Sequence, residues 1–309
     1  MKLVFFGTAT FAVPALRAVA DSVSLVVTQP DQPSGRGLKL QESPVKQVAH
    51  ELGLPCISPE RCRAKSVIEQ LQAEAADAFL VAAYGQILPE SLLTASRRGA
   101  INLHGSILPK YRGAAPIQRA VAAGDQETGV TLMQMDRGMD TGDMIAIETV
   151  QVGPDETASE LYDRLANLAG EMAGAWMPRI VAGDYPRTKQ DDALATHAPK
   201  ITRDDARLDF LTPIHRAYNQ FRSVTQSPGA FLETSIGVLK IKSARMAETT
   251  GAQPGIVSRI KPELAIGFDG GELILLEVQP EGKRVMRGTD FANGARIRPG
   301  ERLQKVESD

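Results

Sequence analysis

The chain has 309 residues, 43% of them hydrophobic and 23% charged, ordinary proportions for a folded protein and enough for roughly two domains at ~150 residues each. Thirty-five Lys+Arg against 37 Asp+Glu leave a net charge of −2, which argues against a protein that holds a polyanion by bulk charge. Cys56 and Cys62 have no neighbouring His or second Cys pair, which excludes a zinc knuckle or a CxxC redox motif, and no run reaches the ~18 apolar residues of a membrane span.

Leu3 to Phe6 reads as a buried strand, too short for a signal-peptide core, so the expected location is the cytoplasm. Gly7 to Ala20 reads as a helix and Val23 to Thr28 as a second strand. A polar loop from Gln29 to Ser43 follows, and Pro44 opens a helix at its first turn. Asp77 to Ala83 and Ala100 to Leu103 are the next strands, and Pro116 opens a helix to about Ala123. Val130 to Met135 and Met144 to Val150 alternate with the strand period around a turn-rich segment, and Thr157 to Val181 has helical spacing. Alternating strands and helices predict an α/β domain over residues 1–184.

From 185 to 204 the periodicity fades, and the segment reads as a linker. Residues 205–309 then hold one helical stretch, Thr212 to Phe221. Short strands split by glycines follow at Ala230–Leu232, Val238–Ile241, Leu264–Gly267 and Leu273–Val278, a pattern for a small barrel or sandwich. This part carries 15 Lys+Arg against 13 Asp+Glu, leaving 20 against 24 before it, so it is mildly basic.

The turn after the first strand, Gly7-Thr8-Ala9-Thr10-Phe11-Ala12, lacks G-x-G-x-x-G spacing, and no GxxxxGK[ST] loop is present. Hydride and phosphoryl transfer therefore fall in rank. The run Ile101-Asn102-Leu103-His104-Gly105-Ser106-Ile107-Leu108-Pro109 carries more. A strand places Asn102 and His104 on one face, at the carboxyl end where open α/β sheets build their sites. The loop Asp136-Arg137-Gly138-Met139-Asp140-Thr141-Gly142-Asp143 is able to bring a carboxylate to His104.

Ser106 is not in a G-x-S-x-G elbow, which disfavours a serine hydrolase. Counted from Asp136, positions six and twelve are Thr141 and Ile147, which rules out an EF-hand. A buried histidine satisfied by a carboxylate is the bland alternative, weakened because Asn, His and Asp arrive together.

The I-N-L-H-G-S-I-L-P run, Arg112 to Gln118 (R-G-A-A-P-I-Q) and the D-x-G-x-D-T-G-D loop together resemble the folate-dependent formyltransferase family. So do Gly7-Thr8, Gln29-Pro30-Asp31 and Ala83-Tyr84-Gly85. The resemblance implies a Rossmann-like α/β formyltransferase domain followed by a small, OB-like β-barrel that binds tRNA. It implies 10-formyltetrahydrofolate as formyl carrier, no metal, and a monomer acting on charged methionyl-initiator tRNA. Asn102, His104 and Asp140 fall on the family's catalytic trio. Ser106, Ile107, Leu108 and Pro109 match its carrier-binding segment, with Ile107 in place of the commoner Leu. Tyr84 to Leu88 match the loop lining the pterin pocket. Arg36 matches a basic residue that touches the tRNA acceptor end, although Leu38 stands where relatives often carry a lysine, and Ala9 where they often carry Pro. Lys283, Arg284, Arg287, Arg296, Arg298 and Arg302 are candidate tRNA contacts in the barrel. Two other readings stand beside it: a formyltransferase acting on an amino sugar nucleotide, which shares the trio but needs no tRNA loop, and a non-catalytic RNA-binding protein on a decayed enzyme scaffold, against which the intact Asn102, His104 and Asp140 argue.

Overall fold

Strands buried on both faces need nearly continuous apolar runs, and two such runs form the centre of the first sheet. These are β1 (Leu3–Gly7) and β6 (Ala78–Ala82), buried at every position. The structure is a computed structural model that describes residues 1–34 and 39–304. Around the pair lie β2 (Val23–Val27), β5 (Cys56–Ile57), β7 (Ala100–His104), β8 (Glu127–Gln134) and β9 (Met144–Gln151), in the order β5-β2-β1-β6-β7-β8-β9. The first five run parallel, and β8 and β9 add an antiparallel edge. From β1 the chain builds outward through β2 to β5, then returns to the other side of β1 with β6. That reversal puts a topological switch point at the carboxyl ends of β1 and β6, where such sheets open a crevice.

The predicted elements of this half are present, with shifted ends. The helix expected after Gly7 begins only at Val13, as α1 (Val13–Val19), after one 3₁₀ turn. The predicted loop holds a short hairpin, β3 (Gln32–Ser34) and β4 (Lys39–Gln41). Helix α2 (Pro44–Glu51) starts as read, with the Ser43 hydroxyl accepting the Lys46 N–H and Pro44 in the first turn. Helices α3 (Lys65–Ala73) and α4 (Glu90–Leu93) were not predicted. Helix α5 (Pro116–Ala123) follows β7, and α6 (Ala158–Ala182) is closed at its start by a capping box. There Thr157 N–H donates to Glu160, whose own N–H donates to the Thr157 hydroxyl.

By contacts, residues 1–116, 127–151 and 162–198 form one compact unit, and residues 117–126, 152–161 and 199–309 a second. The second unit contains β10 (Arg207–Leu208), α7 (Ile214–Ser223), β11 (Phe231–Thr234), β12 (Gly237–Glu248), β13 (Val257–Arg259), β14 (Leu264–Phe268), β15 (Gly271–Pro280), β16 (Met286–Arg287) and α8 (Gly288–Gly294). The strand path is β10-β11-β12-β15-β14-β13, with β16 on β15 and all pairs but β10–β11 antiparallel. Bulges in β12 at Ile241/Ser243/Ala244 let one 12-residue strand bend through the sheet. The residues after Gly300 then close it. Ser235 N–H donates to the Leu303 carbonyl at 2.8 Å, and Leu303 N–H to Gly255 at 2.7 Å, beside bridges Thr234–Gln304 and Ile256–Arg302. The expected small barrel is therefore present, filled by Leu208, Phe210, Phe221, Leu232, Ile266 and Phe268 among others.

Candidate active site

β7 ends at His104 with β6 on one side and β8 on the other, so its last side chains emerge at the carboxyl edge of the sheet. Asn102 and His104 share a face, as the two-residue period requires. His104 is 5% exposed; Asn102 is half-buried, and its amide makes no hydrogen bond to a described residue. Its amide is therefore available to a ligand or to water.

The imidazole is oriented from both ends. Nε2 lies 2.9 Å from the Tyr111 carbonyl oxygen. A carbonyl can only accept, so Nε2 carries a proton and donates it, leaving Nδ1 as the nitrogen that exchanges protons. Nδ1 faces Asp140 Oδ2 at 3.6 Å. That oxygen also accepts the Gly113 N–H at 2.9 Å.

Asp140 reaches His104 because its loop turns sharply. Its φ is +57°, a left-handed conformation that aspartate tolerates better than most residues. At Gly142 any Cβ would sit 1.8 Å from the Gln134 carbonyl oxygen, so only glycine lets the loop close onto β8. The Asp136 carboxylate braces the start of the loop by accepting the Gly138 N–H and the Thr141 hydroxyl.

The segment after His104 folds back into the protein. The Ser106 hydroxyl donates to the Lys110 carbonyl at 2.7 Å, and Ser106 and Leu108 are buried. Thr131 on β8 pins this loop: its hydroxyl donates to the Ser106 carbonyl at 2.7 Å and accepts the Leu108 N–H at 3.1 Å. Ile107 and Pro109 are the half-exposed members of the four.

Tyr84 to Leu88 leave the end of β6 at the switch point. Tyr84 itself is 2% exposed, with its ring edge-on to Phe6 at 5.4 Å and its hydroxyl against the Cys62 thiol. Burial raises the pKa of this phenol far above the ordinary range and also raises that of the Cys62 thiol. Its carbonyl takes hydrogen bonds from the Thr8 hydroxyl and the Gln29 amide, so the G-T and Q-P-D motifs meet here. Ile87, by contrast, is 84% exposed at the tip of the loop.

Arg36 lies outside the described residues. Lys283, Arg284, Arg287, Arg296, Arg298 and Arg302 are all exposed on the barrel unit.

One residue at the site, Gln190, escaped the sequence reading, and Arg112 entered it only as the start of the R-G-A-A-P-I-Q motif, without its partners. Gln190, in the stretch read as a linker, is buried and donates to the carbonyls of Asp140 and Gly142, both at 2.8 Å. Arg112, buried beside it, donates to Gln190 Oε1 at 3.0 and 2.8 Å and to Asp192 at 2.8 Å. Only the polar, low-period character of residues 185–198 was visible in the sequence, and that pattern does not reveal a partner. Among the described residues no group of three or more His, Cys, Asp or Glu could hold a metal ion, and no helix is long and apolar enough to cross a membrane.

The arrangement offers a hydrogen-bonding amide, an imidazole with one exchangeable proton position, and a carboxylate behind it. Such a set can stabilise a developing oxyanion and move a proton beside it.

Residues 1–178 match the family model described as formyl transferase, and residues 200–296 that described as formyl transferase, C-terminal domain. The chain is similar to methionyl-tRNA formyltransferase of Acidobacterium capsulatum, 45% identical over 311 residues covering 98% of this chain and 99% of that one. It is 40% identical over 306 residues to the protein of the same name from Geobacter metallireducens, with 98% of each covered. Among solved structures it shares a fold with an N-formyltransferase from Helicobacter canadensis in complex with folinic acid and dTDP-3-aminofucose. That likeness has a TM-score of 0.67 at 20% identity, over 89% of this chain and 98% of that one.

Proposed function

We propose that this chain, which belongs to the formyl transferase family, moves the formyl group of 10-formyltetrahydrofolate onto the amino group of methionyl-initiator tRNA. The observation that carries the chemistry is the approach of His104 Nδ1 to Asp140 beside the free amide of Asn102. The choice of acceptor rests on relatives at 40–45% identity over nearly the full chain, which all bear the tRNA-directed name. The Helicobacter canadensis N-formyltransferase in complex with an amino sugar nucleotide is only 20% identical, and its likeness is one of fold alone.

An α-amino group ordinarily titrates at roughly 7.7–8, so near neutrality the acceptor must lose a proton to become a nucleophile. Attack on the formyl carbon forms a C–N bond and places negative charge on the formyl oxygen. Asn102 donates a hydrogen bond to that oxygen, and a protonated Nδ1 of His104 is placed to donate a second. Each well-aimed donor of this kind is worth about 3 kcal/mol. Asp140 holds the imidazole and takes part in removing the amine proton, directly or through water. The intermediate collapses as its bond to the carrier nitrogen breaks, and that nitrogen gains a proton. No redox change occurs, and no metal is required.

Residues 1–184 carry this chemistry, supported by 188–198 of the connecting segment 185–204, and 205–309 hold the tRNA, with Arg36 at the acceptor end and the exposed arginines of the barrel along the nucleic acid. Ser106, Ile107, Leu108 and Pro109 and the loop from Tyr84 to Leu88 form the two segments that take the formyl carrier. The protein works as a cytoplasmic monomer. An assay with 10-formyltetrahydrofolate that compares charged initiator tRNA, charged elongator tRNA, free methionine and an amino sugar nucleotide tests the proposal. Preferred turnover of initiator tRNA supports it, and preferred turnover of the sugar transfers the assignment to the alternative.

A further inference from the structure

We propose that Gln190, clamped by Arg112, is a positioning residue that sets the Asp140 carboxylate against His104; this rests on the catalytic reading above. The Gln190 amide is saturated. Both N–H groups are given to Asp140 and Gly142 carbonyls at 2.8 Å, and its oxygen takes two N–H groups of Arg112 at 3.0 and 2.8 Å. An amide uses four partners at most, so this one has no capacity left. It is 4% exposed and Arg112 6%, so each lost partner would leave a buried polar group unpaired.

The restraint acts on the residue that matters. One of the two carbonyls is that of Asp140 itself, held at φ +57°, and such a backbone persists only where its surroundings over-determine it. Arg112 is just as well placed, because its neighbours touch the other partners. Tyr111 offers its carbonyl to His104 Nε2, and Gly113 gives its N–H to Asp140 Oδ2. The three consecutive residues 111–113 thus engage the imidazole, the clamp and the carboxylate in turn. The segment carrying Gln190 fixes them from the far side: Arg112 N–H donates to the Thr196 carbonyl at 2.9 Å, and Ala198 N–H to the Arg112 carbonyl at 2.7 Å. Tyr111 N–H donates to the Thr196 hydroxyl, and Thr188 pairs with Met144 just beyond the Asp140 loop. One strap, residues 188–198, therefore holds both loops that hold the ring.

Two substitutions separate positioning from packing. Gln190→Glu keeps the acceptor for Arg112 but loses the N–H groups to the loop, and Gln190→Met of similar volume loses both. With 10-formyltetrahydrofolate and charged initiator tRNA, each should lower kcat about 10- to 100-fold, as an ångström of misplacement does. KM for the formyl carrier should stay within about twofold, since the carrier loops are untouched. A kcat for Gln190→Glu within about twofold of the parent overturns the inference, as does a loss matched by an equal rise in carrier KM. Failure of both variants to fold would mark Gln190 as a requirement of the fold and overturn it too. Asp140→Asn in the same assay keeps the two proposals apart. Retained turnover there removes the catalytic reading, whereas loss there with none in Gln190→Glu removes only the clamp.

Discussion

His104 presents Nδ1 to Asp140 Oδ2 at 3.6 Å because its Nε2 is committed to the carbonyl of Tyr111 at 2.9 Å. The pairing fixes both the tautomer and the direction of the ring. His104→Ala and Asp140→Asn should each lower turnover by about two orders of magnitude or more, the usual size of a proton-transfer contribution. Binding of the formyl carrier, followed by calorimetry, should change little. Near-normal turnover in either variant would remove that residue from the chemistry.

Asn102 lies one strand period before His104, and its amide makes no hydrogen bond among the described residues. Asn102→Ala should reduce kcat about 10²- to 10³-fold, as for a lost oxyanion donor, with a small effect on KM. Asn102→Asp should do no better, because a carboxylate has no N–H to give. A variant whose only defect is a raised KM would make Asn102 a binding group.

Thr131 is buried, and its hydroxyl bridges Ser106 and Leu108 across the start of the carrier-binding segment. Thr131→Val removes both bonds without changing the volume much. It should destabilise the protein by about 1–3 kcal/mol, the cost of leaving buried partners unsatisfied, and raise KM for 10-formyltetrahydrofolate. Thr131→Ser should restore both, and a threonine replaceable by valine without change in denaturant unfolding would refute the bridge.

Acid should act on the second unit through Asp205. Hydrogen bonds from the Arg119 guanidinium, and then from Thr202, hold its carboxyl at about 2 against a usual 3.8. A folded-state value below the unfolded one stabilises the fold above about pH 4, and that stability is lost as pH falls through about 2. The side chains are about a quarter exposed, so screening reduces the gain to about 1 kcal/mol. Asp205→Asn should therefore melt lower than the parent at pH 7, with the gap closing towards pH 2. A gap independent of pH would refute the linkage.

Much of this architecture was legible because its signals are local. Leu3–Phe6 and Ala78–Ala82 are apolar without interruption, and Pro44 and Pro116 mark helix starts that the structure places at those residues. The Asp140 loop was legible too, since its glycines and aspartates permit the backbone that brings it to His104. What escaped depends on distant partners. In β12 the residues after Ile241 include Lys242, Ser243 and Arg245, so nothing in them announces a strand, and pairing with β15 supplies the reason. Gln190 likewise lacks any local pattern, because its three partner residues lie some 50 to 80 residues away. The bond of the Ser106 hydroxyl to the Lys110 carbonyl is also invisible in the sequence, because it depends on how the segment folds back.

The last turn of the barrel has a bearing on synthesis. Chains emerge from the ribosome amino end first, and the pairings that join Ser235 to Gly255 through Leu303 wait until some fifty further residues have appeared. Until then Thr234 and Ser235, past the end of β10, and the outer edge of β13 present bare backbone, the kind of template on which neighbouring chains stick to one another. A chain truncated just short of Leu303 should thus keep the residues of its first unit yet carry a surface prone to clump.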